Sequence, residues 1–474
     1  MNLRCLSSLV CVLLIAGCAV GPRFNTPATD APAAFRGAPE AGTNSLGDLP
    51  WWQLFQDPVL QDLIRTALTN NYDLRVATAR VEESRALLAQ SRSVYYPQVT
   101  YGGAVGGARN VEGGIPLDTG KGAGKGNDLT GNVSWEIDLW GRLRRLNESA
   151  RAQFLATEEV RRNVTISLVS SVAESYFQLL ALDDELAIAR DATNSFARSL
   201  KLFNERLQGG VASRLETSAA EAALASAAAT IPELRRQIAI QEDQLHVLLG
   251  SNPDPVERRP AALRAETLPE IPPGLPSALL ERRPDIRQAA QLMRSANAQV
   301  GVATANFYPQ ITLTGLLGEV SPELTPFTAG AVSAWSLGAG LTGPIFQGGR
   351  LRGELRQARA AWDEARLGYQ ATVLNAFREV SDALTSRQEL ASERLQQGRA
   401  VAAYQEAVAV ANQRYVGGQA SYYELLQEQQ LLFPAQNALT QTQLNQLLST
   451  VQLYKALGGG WDHSAPAGSG FPSP

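Results

Sequence analysis

The chain is written twice, and this constrains its fold more than any other feature. Tyr96-Pro97-Gln98 returns as Tyr308-Pro309-Gln310, and Asp73-Leu74-Arg75 as Asp285-Ile286-Arg287, both 212 residues later. Further along the offset is 208: Gly141-Arg142 returns as Gly349-Arg350, Gly209-Gly210 as Gly417-Gly418, and Leu249-Gly250 as Leu457-Gly458. An insertion of four residues in the strand region of the first copy accounts for the change. Chance similarity does not hold one offset over more than a hundred residues, so the two halves must fold alike.

Each copy runs in the same order: helix, Pro, strand, Gly-rich loop, strand, very long helix, Gly-Gly turn, long helix. Arg142 to Gln208 is 67 residues without Gly or Pro, about 100 Å if helical throughout. Phe196, Leu200, Phe203 and Leu207 step along it at the spacing of a packing seam, and Tyr404, Val408, Ala411 and Tyr415 take the same places in the second copy. Gly209-Gly210 and Gly417-Gly418 stop these rods, since glycine adopts the left-handed conformation that ends helices. Return helices follow, with Pro232 and Pro434 expected to bend rather than end them, giving antiparallel hairpins over about 142–249 and 350–457.

The strand segments switch to a period of two. Leu129, Gly131, Val133, Trp135, Ile137 and Leu139 alternate with polar residues; Trp335, Leu337, Ala339 and Leu341 alternate with Ser336, Gly338, Gly340 and Thr342. Strands are expected at about 98–105, 129–139, 310–318 and 334–342, the length of a tilted transmembrane strand. Tyr95, Tyr96, Trp140, Phe307, Tyr308 and Phe346 cluster at their ends, where a bilayer interface favours aromatic rings. A soluble hairpin with one buried face would show the same alternation; two matching hairpins fused to such rods favour the membrane. Four strands do not close a barrel, and an open edge in lipid leaves backbone groups unpaired. Two chains would supply eight strands and three would supply twelve; geometry alone does not choose.

The N-terminus names the compartment. All three cysteines, Cys5, Cys11 and Cys18, lie in the first 18 residues. Arg4 and the short apolar run Leu9 to Ala16 read as a secretory signal, too short to span a bilayer. The run ends in Ile15-Ala16-Gly17-Cys18, which resembles the lipobox of bacterial lipoproteins, with cleavage before Cys18 and acylation of its thiol. Ala19 in place of Asp permits, by the same resemblance, transfer to the outer membrane. No other run of about 18 apolar residues is visible, so a membrane would not be crossed with helices. The expected organisation is therefore a signal peptide at 1–17, a loose acylated segment at 18–50, copies at 51–250 and 278–458, a Pro-rich connector at 251–277 running over the outside, and a flexible tail at 459–474.

The chemistry of an enzyme is missing. Net charge is −4 from 42 basic and 46 acidic residues, giving no reason to expect nucleic acid. The two histidines, His246 and His463, share no metal-ligand spacing, and no Cys pair, P-loop or dinucleotide fingerprint stands in a strand-to-helix context. Gly120 to Gly126 lies between two strands, where it reads as a loop. No catalytic residue, cofactor or metal is expected.

In combination the motifs resemble the TolC-like outer-membrane efflux proteins, most of all the lipoprotein branch typified by OprM. They run from the lipobox through Trp51-Trp52, Asp57-Pro58, Asn71-Tyr72-Asp73-Leu74, Tyr96-Pro97, Asp138-Leu139-Trp140-Gly141-Arg142, Arg282-Arg283-Pro284-Asp285 and Asn306-Phe307-Tyr308-Pro309 to Leu453-Tyr454-Lys455-Ala456-Leu457-Gly458-Gly459-Gly460-Trp461, covering essentially the whole mature chain. The resemblance implies a mainly α protein with a membrane β-barrel: a homotrimer whose twelve-stranded barrel continues into a long periplasmic helical barrel. It also implies a passive channel of a tripartite pump for drugs or other toxic small molecules, with outer-membrane lipid, a periplasmic adaptor of the membrane fusion class and an inner-membrane resistance-nodulation-division pump as partners. A polypeptide secretion channel, or a periplasmic coiled-coil adaptor or scaffold lipoprotein, are the alternatives, and a hydrolytic enzyme is a distant third.

The family's gate is implied to lie just beyond the second hairpin turn, where its lipoprotein branch carries a leucine, an aspartate and an arginine. Aligned on Arg414-Tyr415, those places hold Tyr423, Gln427 and Gln430, so neither ionic position keeps its charge. Tyr423 would then be the steric constriction and Gln427 a hydrogen bond across protomers; Glu424 and Glu428 would form an acidic ring or remain solvated rod residues. By the same resemblance the turns at Gly209, Gly210, Val211, Gly417 and Gly418 meet the adaptor.

Overall fold

The computed structural model describes residues 19–27, 31–32, 34–36, 45–109, 123–211, 213–258, 263, 274, 276–321 and 332–459, with backbone alone at 104–109, 123–128, 320–321 and 332. The signal segment, Cys18, most of the Pro-rich connector and the tail from 460 lie outside them.

The duplication is visible element by element. After the one-turn α1 (Trp51–Leu54) and α2 (Pro58–Asn70), the first copy runs α3 (Tyr72–Ser93), β1 (Gln98–Arg109), β2 (Ala123–Ile137), α4 (Arg142–Gln208) and α5 (Arg214–Leu249). Past the short α6 (Pro276–Arg282), the second runs α7 (Pro284–Ala305), β3 (Gln310–Ser321), β4 (Val332–Thr342), α8 (Arg350–Val416) and α9 (Tyr422–Ala456). α3 and α7 are both 22 residues and α4 and α8 both 67. Pro232 and Pro434 lie inside α5 and α9, which continue through them.

The strands reach further towards their loops than alternation alone indicates. β1 extends to Arg109, β2 starts at Ala123, β3 ends at Ser321 and β4 starts at Val332. These additions are largely Gly-rich and polar in the first hairpin, for example Gly106, Gly107, Gly124 and Gly126, where a two-residue hydrophobic period has nothing to act on although the backbone ladder continues. At the other end β2 stops at Ile137 rather than continuing to 139.

Contacts divide the chain into two compact units. The first comprises Met1–Ala28, Arg80–Glu158 and Gln288–Gln370 and holds the sheet. Its four strands form one antiparallel sheet in the order β1-β2-β3-β4. The second comprises Thr29–Ala79, Glu159–Arg287 and Ala371–Pro474 and is helical. Val172, Tyr176, Phe177, Leu179 and Leu180 of α4 are fully buried there. Phe55 packs edge-on against Phe177 and Tyr454 (centroids 6.2 and 6.3 Å), and the Tyr454 hydroxyl donates to the Leu49 carbonyl at 3.0 Å. Burial pushes that hydroxyl far above the ordinary tyrosine range.

Four expectations are corrected. α4 does contain an 18-residue stretch of mean hydropathy 1.3, apolar enough by composition to cross a bilayer; 67% of it is buried within the chain, so it is core. Leu207 leaves the seam and is 38% exposed, whereas Phe196 and Phe203 keep to it. The segment before Trp51 is not loose where it is described: Phe35 and Leu46 are buried, and Ser45 and Asp48 cap a one-turn 3₁₀ helix reciprocally. The connector is also tied down at its start, where Val256 is buried and the Arg258 guanidinium bridges Asp183 of α4 and Glu242 of α5.

Candidate functional site

Register decides what the sheet can face. Residues directly opposite in an antiparallel ladder project to the same side. Ile137 stands opposite Ile311 and Ile311 opposite Leu341; Trp135 opposite Leu313, then Ala339; Val99 opposite Val133, then Gly315 and Leu337; Tyr101 opposite Gly131, then Leu317 and Trp335. Every apolar residue of the alternating sets that lies within the ladder, all but Leu139, therefore falls on one face. The next row, Leu129 with Glu319 and Ser333, ends the apolar band. At ~3.3 Å per residue along strands and ~4.8 Å between them, the band covers about 500 Å², the size of patch that marks an interaction or membrane face. Tyr101 is 90% and Leu337 81% exposed in the single chain. β1 and β4 are the edges of this sheet, and each presents one side of unpaired backbone N–H and C=O groups.

The ends of the strands are set by aromatic residues. Trp140 stacks on Tyr308 (4.7 Å, 26°) and its indole N–H donates to the Pro309 carbonyl at 2.8 Å. Trp135 donates to the Tyr95 carbonyl at 3.0 Å. Tyr96 and Phe346 are exposed. The chain just after Cys18 is strapped to the same region: Val20 N–H donates to the Trp140 carbonyl at 3.0 Å, and Gly21 meets Gly301 so closely that a Cβ on Gly21 would lie 2.6 Å from the Gly301 Cα. Arg294 lies over the Phe24 ring at 5.8 Å.

In the helical unit, both hairpin turns have one design. Gly210 and Gly418 take φ of +76° and +73°. Val211 N–H reaches back to the Arg206 carbonyl (2.9 Å) and Gln419 N–H to the Arg414 carbonyl (2.8 Å), the paired reverse bonds that close a helix through a left-handed residue. Gly209 and Gly417 are still helix-bonded to Glu205 and Gln413. Val211 is 70% exposed.

Beside these turns lies an aromatic cluster that the sequence reading did not assemble. Phe203, Tyr415 and Tyr422 meet with centroids 3.8 to 6.0 Å apart, walled by Ala220, Ala223 and Leu425. Arg206 lies over the Tyr415 ring at 5.0 Å and donates to its hydroxyl. Burial is the main reason the Tyr422 hydroxyl is raised above the usual tyrosine range. Tyr422 and Tyr423 are adjacent in sequence, but helical phase puts the first in the core and leaves the second 71% exposed.

Tyr423, Gln427 and Gln430 are exposed along one stripe of α9 at i, i+4 and i+7, opposite buried Leu425 and Leu426. Glu428 is half-buried. Glu424 pairs with Arg414 at 3.4 Å, an ion pair that ties the end of α8 to the first turn of α9.

With this geometry in place, comparison with known proteins gives a consistent answer. The family model described as "Outer membrane efflux protein" matches twice, over residues 63–251 and 275–459. The toluene efflux pump outer membrane protein TtgC of Pseudomonas putida is 35% identical over 462 residues, covering 96% of this chain and 95% of that protein. The probable outer membrane lipoprotein SilC of Salmonella typhimurium is 31% identical, covering 96% and 98%. The solved outer-membrane channel OprN superimposes with a TM-score of 0.86 at 31% identity, covering 94% of this chain and all of that one.

Proposed function

We propose, from the premise that this chain belongs to the outer membrane efflux protein family, that three copies join their four-stranded sheets edge to edge into a sealed twelve-stranded wall. The observation that carries this is the register: an apolar band four rows deep on one face and two unsatisfied edges, β1 and β4. In lipid each unpaired backbone group costs several kcal/mol, so closure by β4 of one copy on β1 of the next removes the largest penalty in the molecule. The chain is a transport protein of the outer membrane with a large periplasmic helical part, a passive duct in an efflux system. Energy then comes from an inner-membrane pump of the resistance-nodulation-division class, reached through a periplasmic adaptor that meets the turns at Gly209-Gly210-Val211 and Gly417-Gly418. Toluene in a relative's name points to small toxic organic compounds as cargo.

Acylation of Cys18 would supply the anchor, and the strap from Ala19 to Phe24 would hold it beside the Trp140 rim. Tyr423, Gln427 and Gln430 form the constriction at the second turn, with Tyr423 as the steric plug and Gln427 bonding between copies; Glu424 and Glu428 flank it. A periplasmic scaffold would have no use for an apolar strand face.

Planar-bilayer recordings test this. The purified oligomer should conduct, run as a heat-modifiable species on mild SDS gels, and resist carbonate extraction even as Cys18→Ala. Single-channel conductance should rise in Tyr423→Ala and Gln427→Ala. Conductance unchanged in both variants refutes the gate; a detergent-free monomer that stays dissolved refutes the wall.

A further inference from the structure

The sheet also has a polar face, and its charge is unusual. Its described side chains are almost all Gln, Thr, Ser, Asn or Gly; Leu316 and Ala334 interrupt the pattern, and among them only Glu136 ionises. Its cross-strand neighbours, Thr312 and then Gly340, are neutral. Arg142, the first residue of α4, holds that carboxylate with a two-pronged fork: Nε to Oε1 at 3.0 Å and Nη2 to Oε2 at 2.5 Å. Both side chains retain about a fifth to a quarter of their exposure (20% and 24%).

The pair is not demanded by the fold. At the second copy's equivalent place, 208 residues on, Glu136 becomes Pro344, and Arg350 turns instead to Gln347 and to Glu354 of its own helix. That half passes from strand to rod over a longer junction, 343–349 against 138–141, and does so with no strand carboxylate. The first copy also caps its rod independently, since Asp138 accepts the Leu143 and Arg144 backbone N–H groups at 3.1 and 2.9 Å.

We infer that Glu136 and Arg142 set the charge at their end of the polar wall: the guanidinium cancels the one ionised group among its described side chains, so that this ring adds no preference for ions of either sign. This rests on the reading of that face as the inner wall of the closed channel. Within such a confined space an uncancelled charge attracts counter-ions and repels co-ions, and three copies would place three of them in one ring.

Reversal potentials across planar bilayers in a KCl gradient provide the test. Arg142→Gln bares the carboxylate and should move the cation-to-anion permeability ratio upward at least about twofold, and Glu136→Gln bares the guanidinium and should move it downward by a similar factor, a small part of the ten- to thousandfold enrichment that focused fields give. The charge-exchanged double variant, Glu136→Arg with Arg142→Glu, should return to the unaltered ratio and assembles even if a single variant does not. Conducting single variants with unmoved reversal potentials, shifts of the same sign in both, or an assembled exchange variant far from the unaltered ratio each overturn the inference. No conductance from the unaltered protein would instead sink the channel reading itself.

Discussion

The two glycines of each hairpin turn should behave oppositely. Gly210 has φ of +76°, and nothing lies within 4 Å of a Cβ built on it. Alanine there meets no neighbour; its penalty is the left-handed backbone alone, about 1–2 kcal/mol. Gly209 is still in the helix, and its Cβ would sit in ordinary contact, 3.6 Å from the Arg206 carbonyl oxygen. Alanine there restricts the unfolded chain and should stabilise by roughly 0.4–1 kcal/mol. The sign therefore reverses between adjacent residues. Hydrogen exchange of peptides spanning 205–215 reads this locally, through the Val211 N–H that reaches the Arg206 carbonyl. At 1.36 kcal/mol per factor of ten, Gly210→Ala should speed exchange about five- to thirtyfold and Gly209→Ala should slow it about two- to fivefold. The same contrast weakens in the second turn, because a Cβ on Gly417 would crowd the Gln413 carbonyl at 3.3 Å. Equal effects at 209 and 210, or the reverse order, would refute the assignment of the left-handed residue.

Three further outcomes are expected. Burial raises the Glu174 carboxyl above its ordinary value, with Lys455 pulling it partly back; a raised acid favours the folded state when protonated and costs stability as pH rises past 4.5 towards the folded value, so Glu174→Gln should raise the apparent melting temperature at pH 7 and not at pH 4, and no gain at pH 7 contradicts the burial account. Arg283 is buried between Asp285 and Glu379 and also donates to the Ala456 carbonyl; because Glu379 is 43% exposed, Arg283→Met should cost about 2–3 kcal/mol, below the range for a wholly buried pair, and a melting temperature unchanged from the parent would refute this. Gly21→Ala should release the N-terminal strap, since its Cβ would lie 2.6 Å from the Gly301 Cα at a φ of +103°, and trypsin should then cut after Arg23 about five- to thirtyfold faster, by the same left-handed penalty; an unchanged cleavage rate refutes the contact.

Much of this was legible in the sequence because the relevant signals are local. The rod from Arg142 to Gln208 is bounded by Gly141 and Gly209, and the structure gives it those ends. The alternation of Trp135, Ile137, Trp335 and Leu337 indicated one apolar side per strand. It did not say that all four sides coincide, because register between β2 and β3 depends on residues almost 180 apart, such as Trp135 and Leu313. The bands of Gly near Gly106 and Gly124 carry no period, so the strands' outer reach was invisible. Of the candidate gate, Tyr423 and Gln427 came from family alignment, whereas the cluster of Phe203, Tyr415 and Tyr422 needs two hairpins brought together. The phase of α9 alone separates Tyr422 from Tyr423, and it can be read only once the helix's buried stripe, through Leu425 and Leu426, is known.

The central claim is that one face of the sheet meets lipid and the other water. Single cysteines placed along β4, from Trp335→Cys through Ser336→Cys, Leu337→Cys and Gly338→Cys to Ala339→Cys, measure it residue by residue in reconstituted membranes. The label should be quenched from the lipid phase at 335, 337 and 339, and by an aqueous quencher at 336 and 338. Access from water at all five positions, or a pattern without alternation, would contradict the account.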